Sequence, residues 1–384
     1  MTIRHALLLA LLFVSACAAP GRVAMNAPVE TEPGSLRSTT GPEIWAYHAY
    51  WMGDAWRSYD LAAFGRLLFM DLAVCKDCRI AETRGWPDQW ASLNAAARAA
   101  GVQLDPGFTI LTPEIFTAVF TSAGTRRLLL EEIVELARFS RGVHLDFEVY
   151  EGTPTDAIAG FRTFLADLRR TLDQPPRKVL TAFVPAGSIL YGETDLAMLD
   201  AVIAQGYDVH WQKSPNAGPP ALLEGESLAT WRSAAILLEN RGVARRKILF
   251  STPFYGYEWP TLSAEPRAPT RGPAEIITYA PVPKAVLPDI RTSALARIRE
   301  HGLRREMSSG SPWYAFRDAE GWRQGWFDDA VSLTPRLDFV RERGYRGVAV
   351  FVLGYDNGEL LGTIRAAFSA RTPPAGGASP PGAR

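Results

Sequence analysis

The chain has 384 residues, with 41 Lys and Arg against 41 Asp and Glu, so its formal charge at neutral pH is zero. That balance speaks against nucleic acid or a strongly anionic partner as the main ligand. The length suits one large domain or two smaller ones.

Arg4 and His5 precede an apolar run over residues 6–14, followed by Ser15, Ala16 and Cys17. A basic start, an apolar stretch of that length and small residues before a cleavage point describe a signal peptide over residues 1–16. The run is shorter than the roughly 20 apolar residues a spanning helix needs. The Val14-Ser15-Ala16-Cys17 segment resembles a bacterial lipobox, and the resemblance implies that Cys17 carries the lipid. More than one acyl chain is then available, enough for stable anchoring. On the same resemblance, Ala18 in place of Asp implies the outer membrane where a cell has one. An ordinary signal peptide cut near Ala19 is the alternative. Residues 17–40, with Pro20, Gly21, Pro28, Pro33 and Gly34, read as a flexible tether, and residues 371–384 as a disordered tail with nothing to bury. No later apolar run could cross a bilayer, and no repeat of fixed period is present.

Between these ends, over residues 41–370, short β-branched or aromatic runs alternate with longer helical patterns. This alternation implies βα units around a parallel sheet. The strand candidates are 44–51, 66–74, 101–110, 142–147, 178–186, 201–208, 247–257 and 347–356. Eight such strands match a closed (β/α)8 TIM barrel. Helical periodicity is clearest over 124–139, 155–172 and 330–343. The stretch between the seventh and eighth strands is too long for one crossover helix. Its prolines predict a loop-rich insertion over about 260–310.

The segment most charged with chemistry is Arg141-Gly142-Val143-His144-Leu145-Asp146-Phe147-Glu148. Alternation along a strand puts His144, Asp146 and Glu148 on one face and Val143, Leu145 and Phe147 on the other. The polar face would point into the barrel and climb toward its carboxyl end, where barrel enzymes keep their active sites. Asp146 and Glu148 then lie roughly 6–7 Å apart along the strand. Mutual repulsion raises at least one pKa, as suits an acid that must hold its proton near neutrality. Read alone, the segment leaves open a buried carboxylate pair that serves only as hydrogen-bond anchors.

Residues 142–148 (GVHLDFE) resemble the fourth-strand motif of glycoside hydrolase family 18, DGxDxDxE. In the same order, 205–211 (QGYDVHW) resemble its sixth-strand MxYD motif and 247–259 its seventh strand. Residues 325–351 resemble its last helix and eighth strand. The resemblance covers essentially 44–370. It implies a hydrolase acting on β-1,4-linked N-acetylglucosamine glycans: chitin oligomers, peptidoglycan or the chitobiose core of glycans. It also implies substrate-assisted catalysis, the exception to the two-carboxylate scheme in which the sugar's own acetamido group is the nucleophile. Glu148 would be the general acid, Asp146 would orient the acetamido N–H, and Tyr207 would donate to the acetamido oxygen. Asp208 would bind the sugar, beside His144, Trp211, Phe351, Tyr47 and Tyr255 as further substrate-binding candidates. Tyr50, Trp51, Tyr257 and Trp259 are weaker aromatic candidates, since most rings pack in the core. No metal or organic cofactor is implied, and a monomer is expected.

Four positions depart from the family pattern: Arg141 and His144 for aspartates, Gln205 for Met, and Phe351 for the subsite tryptophan. A protonated His144 would hold Asp146 ionised between about pH 5 and 8; a buried, permanently neutral His144 is the other reading. These departures keep open a sugar-binding protein with little turnover on the same barrel. Cys75 and Cys78, with two residues between them in an exported chain, suggest a local disulfide.

Overall fold

The computed structural model describes residue 36 and residues 41–75, 80–149, 152–283 and 286–369. The expected signal peptide with Cys17, most of the expected tether, Cys78 and the expected tail lie outside the described residues. The fold is the expected barrel. Parallel strands β1 (Glu43–Ala49), β2 (Arg66–Val74), β4 (Gln103–Ile110), β5 (Gly142–Phe147), β6 (Val179–Val184), β7 (Ala201–Ala204), β8 (Ile248–Pro253) and β14 (Gly347–Phe351) pair in sequence order. The ring closes through β14 on β1, and the short β3 (Ile80–Glu82) adds antiparallel to β2.

The period of two sorts each strand's side chains. Trp45, Tyr47, Leu68, Phe183, Ile203, Leu249 and Ala349 fill the lumen as one buried cluster. Their neighbours Ile44, Leu67, Val143, Leu145, Val202, Phe250 and Val348 face outward into the larger core under the helices. Helix α4 (Thr155–Leu172) shows the complementary 3.6 period. It buries Ile158, Phe161, Leu165, Leu168 and Leu172 while keeping its other face wet. Helix α8 (Ala330–Arg343) starts on Asp329, whose side chain accepts from the Ser332 amide, and ends at Gly344 in the left-handed region (φ 71°), where glycine carries no steric penalty. The barrel floor is polar. Arg66 pairs with buried Asp105, and Arg66 and Arg346 stack on the Trp45 ring at 5.4 and 5.8 Å.

The insertion lies where expected, but it is a sheet and it is longer. Strands β9 (Tyr255–Thr261), β10 (Glu275–Thr278), β11 (Arg304–Arg305), β12 (Pro312–Asp318) and β13 (Gly321–Trp326) form an antiparallel sheet in the order β10-β9-β13-β12-β11, with helix α7 (Ala294–His301) between β10 and β11. The apolar run over 247–257 conceals a break at Phe254, where the chain leaves the barrel to begin β9. The prolines that suggested loops divide between the connection from β9 to β10 (Pro266, Pro269, Pro273) and the segment after β10 (Pro281, Pro283, Pro288). Glu258 pins this subdomain: its buried carboxylate receives the Arg297 guanidinium in a two-bond fork (2.9 and 3.1 Å) and the Tyr314 hydroxyl at 2.6 Å.

Candidate active site

As the alternation requires, His144, Asp146 and Glu148 point inward from β5, the first two buried and Glu148 half-buried at the strand's carboxyl end. The Glu148 amide donates to the Ile110 carbonyl at 2.8 Å, extending the β4–β5 pairing past the last strand residue. Asp146 is buried, and its Oδ1 has no hydrogen-bond partner among the described residues. Burial, then the charges of Glu148 and Asp71, push its carboxyl well above the usual carboxylate range. The negative charge of Glu148 is felt at the Tyr47 and Tyr207 hydroxyls, which burial already keeps firmly protonated. Both remain hydrogen-bond donors at any physiological pH.

Around the carboxylates stands an aromatic collar. Phe351 meets Tyr47, Tyr207 and Tyr255 at ring distances of 5.6, 6.0 and 6.1 Å. Asp208, in the left-handed backbone region at φ 61°, accepts from the hydroxyls of Tyr255 and Tyr257 at 2.8 Å each. Burial raises its pKa to about 6 against the two donors that lower it. Strand β9 therefore reaches back over the barrel mouth, with Tyr255 and Tyr257 facing the site and Glu258 facing the insertion's core. Among the described residues no three His, Cys, Asp or Glu side chains gather as a metal-ligand set.

The chain's relatives fit this arrangement. The Glycosyl hydrolases family 18 profile matches residues 112–356, more than half of the chain. The chain belongs to family 18. Among family-18-like relatives, it is 26% identical over 241 residues to the cortical fragment-lytic enzyme of Bacillus subtilis, covering 60% of this chain and 50% of that protein. It is 26% identical over 276 residues to mouse chitotriosidase-1, covering 65% and 57%. The chain thus spans about half the length of the curated relatives it matches. Among solved structures, a class V chitinase from Nicotiana tobaccum superposes with a TM-score of 0.72 at 17% identity, covering 86% of this chain and 99% of that one. The chitinase-like agglutinin of Robinia pseudoacacia gives 0.69 at 18%, covering 84% and 98%. At such identities these likenesses speak for the fold alone.

One expectation for a site residue is corrected. His144 bonds neither Asp146 nor solvent: its Nε2 meets the Tyr47 hydroxyl at 3.0 Å and its Nδ1 the Thr181 hydroxyl at 2.9 Å. Complete burial, helped by the Arg66 cation, lowers its pKa to about 3. It is therefore a neutral support under Tyr47 rather than a charge partner or a sugar contact. Trp211, half-buried after β7, makes no ring contact with the collar among the described residues and keeps its place as a candidate substrate contact. Trp259 is fully buried. The sequence reading missed Asp71 on β2 and Thr109 on β4, which line the same mouth. A lone aspartate inside an apolar strand was the available signal, since buried carboxylates need a reason.

Proposed function

We propose that this family 18 chain is a retaining hydrolase of β-1,4-linked N-acetylglucosamine glycans, working by substrate-assisted catalysis. The observation that carries the reading is Asp146, a buried carboxylate with one oxygen unpartnered, set among Glu148, Tyr47 and Tyr207. An acetamido N–H supplies the missing donor. Glu148 gives its proton to the glycosidic oxygen as the C1–O bond breaks. The acetamido carbonyl oxygen closes on C1, forming an oxazolinium whose positive charge Asp146 offsets while Tyr207 orients the carbonyl. Glu148, now a carboxylate, takes a proton from water, and the water oxygen opens the ring at C1 on the face the leaving group occupied. The configuration is retained.

Among the candidate glycans, the likeness to a Bacillus cortical fragment-lytic enzyme favours peptidoglycan strands. A second reading, sugar binding with little turnover, is favoured by Phe351, a smaller platform than the family's tryptophan. Incubating the purified protein with chitin oligomers, peptidoglycan sacculi and a high-mannose glycoprotein, with products identified by mass, separates them. Cleavage of sacculi supports the first reading. Binding without cleavage of any of the three supports the second. Export and lipidation at Cys17 are also proposed, on the sequence of residues 1–17. Palmitate labelling that is lost in Cys17→Ala tests this; an unlabelled native protein contradicts it.

A further inference from the structure

The β5 motif carries His144 where the family has a second carboxylate, and His144 turns to Tyr47 and Thr181. The barrel nevertheless holds another carboxylate at this level, from a different strand. Pairing of β2 with β4 runs in step to Phe69 opposite Pro106 and resumes at Leu72 opposite Phe108, so three steps on β2 match two on β4. This bulge inserts one residue, and bulges re-aim side chains. Strict alternation from the inward Leu68 and Met70 would turn Asp71 outward, into the helix layer. With the extra residue, both Met70 and Asp71 face the lumen opposite Gly107. A side chain at Gly107 would sit 2.8 Å from the Phe69 carbonyl oxygen, so the close approach that makes room for the bulge requires glycine. Thr109, two residues on, donates its hydroxyl to Asp71 Oδ2 at 2.9 Å, and Thr109 is the register partner of Asp146 on β5. Asp71, Thr109 and Asp146 thus form one row across three adjacent strands.

We propose that Asp71 is a positioning residue of the same catalytic site: delivered into the barrel by the β2 bulge and fixed by Thr109, it is the second carboxylate that the β5 motif lacks, and it keeps a proton on the Asp146–Glu148 pair. The inference rests on the hydrolase reading above. The two aspartates differ in their surroundings. Asp71 has the Thr109 hydroxyl and, at 3.7 Å, the Arg84 guanidinium, both of which favour its ionised form. Burial raises the carboxyls of both, and Oδ1 of each lacks a hydrogen-bond partner among the described residues, but Asp146 has no cation beside it and rises further. In the resting site the charge therefore rests on Asp71 and the proton on the Asp146–Glu148 pair, as when environments push paired groups apart; a bound acetamido N–H favours ionised Asp146 and leaves that proton on Glu148. Other titratable groups face the row from every side: Glu148 and the neutral His144 on β5, Tyr47 on β1 and Tyr50 after it. Glu82 on β3 opposes Arg84 at Asp71. The Tyr191 and Tyr207 hydroxyls, beyond β6 and β7, stay protonated.

Asp71→Asn keeps shape and removes one negative charge, so the remaining carboxylates release protons more readily. Both limbs of the kcat/KM–pH profile are expected to move to lower pH, with kcat at neutral pH falling because less Glu148 holds its proton. A variant that only disturbs packing would lose rate without moving the profile, and an unmoved profile overturns the proposal. Carbon-13 titration of the aspartate carboxyls provides a readout free of activity. In the wild type, Asp71 and Asp146 are expected to titrate in two steps, each visible at both carbons, as interacting sites do. Independent single titrations overturn the proposal even if Asp71→Asn fails to fold. Coupled titration in a protein that cleaves no N-acetylglucosamine glycan would leave the row standing and sink the hydrolase reading instead.

Discussion

Glu148 is the residue on which the proposed chemistry turns. Glu148→Gln keeps its size and hydrogen bonding but has no proton to give, so kcat is expected to fall by roughly 10²–10⁴-fold or more, with glycan binding by calorimetry preserved. Turnover near wild type in this variant would contradict the assignment. His144 makes the opposite prediction. Because burial holds its pKa to about 3, it stays neutral across the working range. Normalised pH–rate profiles of wild type and His144→Asn should superimpose between about pH 5 and 8, the window of an ordinary histidine. Stability should drop by about 1–3 kcal/mol as buried hydroxyls lose a partner. The inward set on β5 was legible because a period of two admits no other choice. The partners of His144 were not, because they come from β1 and β6, more than 30 residues away in each direction. Asp208 titrates in the relevant range. Its folded pKa of about 6 lies above the ordinary 3.8, so its contribution favours the folded state below that ordinary value and is lost as pH rises through about 6. Asp208→Asn should flatten this part of a melting-temperature–pH curve; an unchanged slope would show that Asp208 is not the group responsible.

At the scale of elements, β9 joins the insertion to the site. One face carries Tyr255 and Tyr257 to Asp208, and the other buries Glu258 against Arg297 and Tyr314. Arg297→Met would leave a buried carboxylate short of its main counter-ion, a loss worth roughly 3 kcal/mol. The resulting slack in β9 should raise KM more than it lowers kcat, because Glu148 and Asp146 stand on β5 and are untouched. Melting temperature and steady-state kinetics check both halves, and an unchanged KM would show that the insertion does not hold the tyrosines in place. This element was the least legible part of the chain. Its strands are short, two contain proline, and β9 follows β8 with only Phe254 between them, so one apolar run hides two strands in different sheets. The β2 bulge was hidden for a similar reason: an extra residue changes which face Asp71 occupies without changing the sequence pattern.

The molecule as a whole is a barrel whose lumen is plugged by packed side chains below and opens into a ring of carboxylates and tyrosines above. Its eight strands were readable from local pattern because parallel strands covered by helices are apolar runs bounded by turns, and helices 155–172 and 330–343 lie where periodicity puts them. What ties these parts to one reaction is the proposal that the substrate's own acetamido group attacks C1. The most direct measurement follows the anomeric proton of the first product by NMR during cleavage of an N-acetylglucosamine oligomer, alongside the same oligomer with its amino groups free. The expected result is a β anomer formed first and mutarotating later, with the deacetylated oligomer left intact. An α anomer formed first, or equal cleavage of the deacetylated oligomer, would contradict substrate-assisted catalysis in this protein.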